Sequence, residues 1–127
     1  MTYEPRTYRT RMAREGLVGF RVAVQETDLW VLAARDFAPE VRQAVLQERQ
    51  QLESYLAAHP GFLEALAPWP EDPFAPPVVR EMLAGAAQVG VGPMAAVAGA
   101  LAERVGRALA PLSDEVIVEN GGIFFCI

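Results

Sequence analysis

The hydrophobic period of this chain changes twice, and that change limits the folds open to it. In residues 17–24, Val18, Phe20, Val22 and Val24 alternate with Gly19, Arg21 and Ala23, the period of two of a half-buried strand. The polar turn Gln25-Glu26-Thr27-Asp28 leads to a second apolar run, 29–34, so the two read as a hairpin. The period then becomes helical. Pro39 opens a helix where its missing N–H costs nothing. Val41, Val45, Leu52, Tyr55 and Leu56 share one face of it, and Arg42, Glu48, Arg49 and Glu53 fall on the others. His59-Pro60-Gly61 stops it, with His59 placed to cap its last carbonyls. A short apolar helix is expected at 62–66.

Residues 67–77 hold five prolines and two acids, which excludes regular helix and central strand and leaves a connecting loop. A second helix starts near Pro76-Pro77 and carries Val78, Val79, Met82, Leu83 and Ala86 inward, until Gly90-Val91-Gly92-Pro93 breaks it. A third runs from Pro93 to about residue 110, with Met94, Val97, Ala98, Leu101, Val105 and Leu109 on one face and Glu103 and Arg107 as an i,i+4 pair on another. The period of two returns in 115–119 and 123–127, on either side of Asn120-Gly121-Gly122. Strand pair, three helices and strand pair predict an α+β fold, with a mostly antiparallel sheet and helices packed on one face.

The length, 127 residues, suits a single domain over 1–127, and a hydrophobic share of 52% suffices for a packed core. A net charge of −5 disfavours a nucleic-acid partner, and the arginines of the first third are interrupted by acids, as on a solvated surface. The polar stretch 3–15 reads as an edge strand or an arm. No apolar run approaches the roughly 20 residues of a membrane span, so no membrane partner is expected. Met-Thr-Tyr-Glu-Pro-Arg lacks the basic-then-apolar pattern of a signal peptide. One cysteine, Cys126, permits no intramolecular disulfide, and its apolar strand predicts a buried, inert thiol. A cytoplasmic location fits these features.

Two segments carry candidate chemistry. In 89–100, Gly90 and Gly92 permit a tight turn and Pro93 suits a first helical position. The amides that follow lack internal acceptors, so Gly92, Pro93, Met94, Ala95 and Ala96 would hold a phosphate or carboxylate without a basic side chain. The other reading is structural: Gly99, Ala100, Ala102 and Gly106 permit close helix packing. In Val118-Glu119-Asn120-Gly121-Gly122, Asn-Gly between apolar strands is a type I′ hairpin signal. Alternatively, Glu119 and Asn120 offer oxygens to a ligand or cation at a strand end, with Gly121 and Gly122 allowing close approach. Glu26-Thr27-Asp28 reads as a plain turn, a cation contact or a donor through Thr27.

Several segments resemble an uncharacterised prokaryotic family related to ApbE, the FAD:protein FMN transferase. They are Val-Gln-Glu-Thr-Asp-Leu-Trp-Val, His-Pro-Gly-Phe-Leu, Ala-Pro-Pro-Val-Val-Arg-Glu-Met, Val-Gly-Pro-Met-Ala-Ala-Val-Ala-Gly-Ala and Val-Glu-Asn-Gly-Gly. The resemblance runs in order over nearly the whole chain. It implies the N-terminal part of an ApbE-like fold, truncated at its C-terminal side, because members are close to twice as long. It implies FAD or another phosphorylated small molecule as ligand, bound at Gly92, Pro93, Met94, Ala95, Ala96, Glu119, Asn120, Gly121 and Gly122, and flavin transfer as the activity. Magnesium serves that reaction in the ApbE proteins. Members usually carry an aspartate directly after the Gly-Gly pair, whereas Ile123 stands here, so the expected magnesium contact is missing. A half-fold exposes apolar surface, so a homo-oligomer is expected.

Overall fold

The computed structural model describes residues 16–127; the edge strand or arm expected at 3–15 lies outside the described residues. Strands β1 (Val18–Val24) and β2 (Thr27–Ala33) form one hairpin, and β3 (Ile117–Asn120) and β4 (Ile123–Cys126) form another. β2 pairs with β3, giving an antiparallel sheet in the order β1-β2-β3-β4. Between the hairpins lie α1 (Ala38–Ala58), α2 (Pro77–Val89), a 3-10 helix (Pro93–Ala96) and α3 (Val97–Leu109). The fold is α+β, as the two changes of period require.

The register explains which face is buried. Phe20 opposes Val31, Val22 opposes Leu29, and Val31 opposes Val118. These residues form one core with Val41 and Val45 of α1 and Ala102, Val105 and Leu109 of α3. A second core lies among the helices, where Leu52 and Tyr55 meet Phe62, Val78, Val79, Met82 and Leu101. The five α2 residues expected to point inward are all buried. Burying side chains of this size stabilises by about 1.5–3 kcal/mol each before conformational entropy is counted.

The proline-rich loop is fastened rather than loose. The Tyr55 hydroxyl donates to Asp72 Oδ2 at 2.8 Å, and the Phe74 N–H donates to Asp72 Oδ1 at 3.1 Å. Trp69 meets Phe62 edge-on, with ring centroids 5.3 Å apart. His59 stacks on Tyr55 and its Nδ1 donates to the Tyr55 carbonyl at 3.0 Å, the cap expected of it.

Four expectations are corrected. Residues 62–66 form hydrogen-bonded turns, not a helix. Gly61, with φ of +95°, and the prolines from 68 onward leave too few residues to repay a helical nucleus, so Phe62 alone anchors the segment in the core. The third helix begins later than Pro93: Ala95 N–H bonds to the Gly92 carbonyl in 3-10 fashion, and the α-helix starts at Val97. Glu48 is not on an outer face but buried, filling the place between Val45 and Leu52 on the inward stripe of α1. Cys126 is exposed, because β4 is an edge strand and Phe125, its neighbour, is the residue packed against the core. Among the described residues, no single helix is long and apolar enough to cross a membrane; the apolar run through α2 and α3 bends by 107° at its break.

Candidate functional site

A cleft of about 380 Å³ opens where the β1–β2 turn, α1, the 63–66 turns, the start of α3 and the end of β3 converge. Its volume lies in the range of small-molecule sites, about 300–1,000 Å³. Leu52, Leu56, Leu63, Met94, Val97 and Leu101 make an apolar wall, and Glu26, Thr27, Arg49, Glu53 and Asn120 a polar rim.

Each rim group is placed by its element. Val24 opposes Thr27, so the hairpin turn is only Gln25-Glu26, and Gln25 takes a left-handed backbone with φ of +51°. A residue with a side chain adopts that conformation at a cost, and such strain tends to collect near binding sites. The turn puts Thr27 at the start of β2, almost fully buried, facing α1. Arg49 reaches across from α1: its Nη1 donates to Thr27 Oγ1 at 2.8 Å, and its Nη2 lies within bonding distance of Gln25 Oε1, Glu26 Oε2 and Glu53 Oε2 at 3.2, 3.3 and 3.1 Å. The guanidinium side chain is only 15% exposed, whereas Glu26 and Glu53 are largely in solvent. On the opposite wall Asn120 Nδ2 donates to the Ala98 carbonyl at 3.2 Å, which ties the end of β3 to the first turn of α3.

The sequence-derived candidates divide around this cleft. Met94 and Asn120 line it. Gly92 and Pro93 lie buried behind it, and a Cβ on Gly92 would stand 1.7 Å from the Ala65 carbonyl oxygen, so glycine here permits close contact with the 63–66 turns. Ala95 is exposed, and Ala96 packs toward Gly85 of α2. Gly121 and Gly122 have φ of +58° and +89°, the values of a type I′ turn. Glu119 alternates with Asn120 and so points to the other face of the sheet; it is buried, and its Oε2 accepts the Gly122 N–H at 2.7 Å. Among the described residues no group of three or more His, Cys, Asp or Glu is arranged to hold a metal ion.

Arg49, Leu52, Leu56 and Leu63 were not singled out from the sequence as site residues. A signal was present. Val45, Arg49, Leu52 and Leu56 recur at steps of four, three and four, so Arg49 rides on the edge of the apolar stripe rather than on the solvent face.

A second polar cluster lies in the helical layer. Arg104 of α3 stands between Glu48 of α1 and Glu81 of α2, with Nε 3.5 Å from Glu48 Oε1 and Nη1 3.8 Å from Glu81 Oε1. Burial pushes the Glu81 carboxyl above its ordinary value; Glu103 and Glu48 add to that, and Arg104 and Arg107 oppose it.

Comparison with known proteins finds similarity over most of the chain. A family model described as AbpE bacteria matches residues 9–127. The UPF0280 protein of Methanopyrus kandleri is 40% identical over 107 residues, covering 84% of this chain and 43% of its own length. The UPF0280 protein of Methanocella arvoryzae is 37% identical over 100 residues, covering 78% of this chain and 41% of its own. That of Methanocaldococcus jannaschii is 33% identical over 103 residues, covering 80% and 41%. The chain thus spans less than half the length of these curated relatives.

Proposed function

Because the chain belongs to the AbpE bacteria family, we propose that it provides one wall of an ApbE-like site for a flavin or another phosphorylated small molecule. The observation that carries this reading is the cleft itself, an apolar wall ending in a few fixed polar groups. The leucines, Met94 and Val97 suit the flat ring of a flavin, and Thr27, Arg49 and Asn120 suit its polar edge or its phosphate. The reading keeps Met94 and Asn120 as ligand contacts. It moves the centre of the site from the amides of 92–96 to the cleft beside them, since Gly92 and Pro93 are buried and Gly92 packs against the Ala65 carbonyl. We propose no role for magnesium in this part of the fold: Ile123 stands where an acid would follow the glycine pair, and Glu119 is turned to the Gly122 amide. A reducing cytoplasm remains our proposal for its location, supported by the single cysteine.

Titrating FAD while following its fluorescence or the heat of binding tests the reading. Saturable binding is expected. Leu63→Arg, which puts a charge on an exposed part of the apolar wall, should weaken it at least tenfold, and Ser54→Ala, which lies away from the cleft, should not. No binding at millimolar FAD would end the flavin reading.

A second reading, a binding or assembly domain without chemistry of its own, is favoured by Ile123. A magnesium-dependent FMN-transfer assay with a threonine-bearing acceptor separates the two, and any transfer removes the second.

A further inference from the structure

We infer that Arg49 is the anion-recognising residue of the cleft, and that Glu26 and Glu53 are exchangeable stand-ins for a phosphate group of the ligand. The inference rests on the reading of the cleft as a ligand site and names the chemistry of its polar end.

Three observations carry it. The guanidinium is fixed where the cleft's polar and apolar walls meet: Nη1 is held by Thr27 Oγ1 at 2.8 Å, and Thr27 is itself buried. Its outer nitrogen is over-subscribed. Nη2 carries two protons, yet Gln25 Oε1, Glu26 Oε2 and Glu53 Oε2 all lie within 3.1–3.3 Å of it. One acceptor is therefore always redundant, and losing it costs Arg49 no hydrogen bond. Finally, the acids are the exposed partners. Their side chains are 79% and 58% exposed against 15% for Arg49, so either returns to water at little cost.

A phosphate monoester entering the cleft meets a half-buried cation whose present counter-ions are solvent-facing. Phosphate oxygens match the planar fork of a guanidinium better than two separate carboxylates approaching one nitrogen. The exchange also changes the charge balance. Without an anion the rim holds two carboxylates against one guanidinium and repels further negative charge. Once the acids swing outward, the pocket presents the guanidinium, the Thr27 hydroxyl and the Asn120 amide. Glu26 and Glu53 then act as a selectivity device: they admit an anion able to displace them and turn away weaker ones.

The experiment uses the whole chain and inorganic phosphate as probe, with chloride at matched ionic strength as reference. Binding is read from the 31P line width of phosphate and from the melting temperature. The expected result for the wild type is a saturable rise in melting temperature and an excess phosphate line width that falls to the free value as the site fills, with both lost in Arg49→Gln. The double variant Glu26→Gln/Glu53→Gln should reach half-saturation at several-fold lower phosphate. Arg80→Gln, remote from the cleft, should match the wild type. The line width reports binding even where Arg49→Gln lowers the melting temperature. The inference is overturned by a wild type that does not respond, by an unchanged response in Arg49→Gln, or by a double variant that binds no tighter. Phosphate binding through Arg49 without any FAD binding would sink the flavin reading and leave this one standing. FAD binding with no phosphate response would do the reverse.

Discussion

Gly92 has a role that its neighbours in the sequence conceal. Read along the chain, Gly90 and Gly92 look like a matched pair that loosens a turn. In the fold they differ. Gly90 has φ of +74° and open space around its missing Cβ, so Gly90→Ala should cost about 1 kcal/mol, the strain of a left-handed alanine. Gly92 has an ordinary extended backbone, but its Cβ would collide with the Ala65 carbonyl, a backbone group that cannot rotate away. Gly92→Ala should therefore destabilise by about 1–3 kcal/mol or more. Urea unfolding of both variants checks this, and equal midpoints would show that the 63–66 turns yield easily. The contrast also explains why the site was only partly readable. Met94 and Asn120 were identified from a turn and a strand end, and both reach the cleft. Arg49 was assigned to solvent because its charge outweighed its spacing; only the Thr27 hydroxyl, brought opposite by the hairpin, makes that position half-buried.

The helices show where periodicity suffices and where it fails. The inward face of α2 is apolar throughout, so spacing alone identifies it. The inward face of α1 contains Glu48, and the residue that makes its burial tolerable, Arg104, comes from α3. No local pattern reveals such a pairing. Glu81 completes the cluster from α2, and its raised carboxyl gives the helical layer a pH dependence. At low pH Glu81 is protonated in both folded and unfolded chains and its contribution to stability is fully present. As the pH rises past 4.5, its ordinary value, the unfolded chain loses the proton first, and stability falls until the folded carboxyl has ionised as well. Glu81→Gln should remove this fall and make the chain more stable than the wild type near neutral pH. Urea midpoints measured across the acid range decide it; parallel pH curves for the two proteins would place the titrating group elsewhere.

For the molecule as a whole, the open question is the outer side of β4. The two-residue turn makes Asn120 and Ile123 a hydrogen-bonded pair, and Val116 and Ile127 exchange both backbone bonds, at 3.3 and 3.0 Å. Alternation between them leaves the Cys126 N–H and C=O pointing away from β3. No described strand pairs on that side. The side chains of residues 123–127 bring no charge or proline to it, the devices that normally keep edges apart, and Ile123 and Ile127 are about half exposed. A second copy suits the outward groups of Cys126: antiparallel pairing of two chains about Cys126 is self-complementary and satisfies both copies at once. The chain is therefore expected to dimerise with rising concentration in sedimentation velocity. Cys126→Pro, which removes an outward N–H without touching the pairing with β3, should leave it monomeric with an unchanged circular dichroism spectrum. A wild type that stays monomeric to sub-millimolar concentration refutes the pairing. The full-length Methanopyrus kandleri relative supplies the complementary case. If it is monomeric where this chain dimerises, the rest of the longer chain covers there the edge that a second copy covers here.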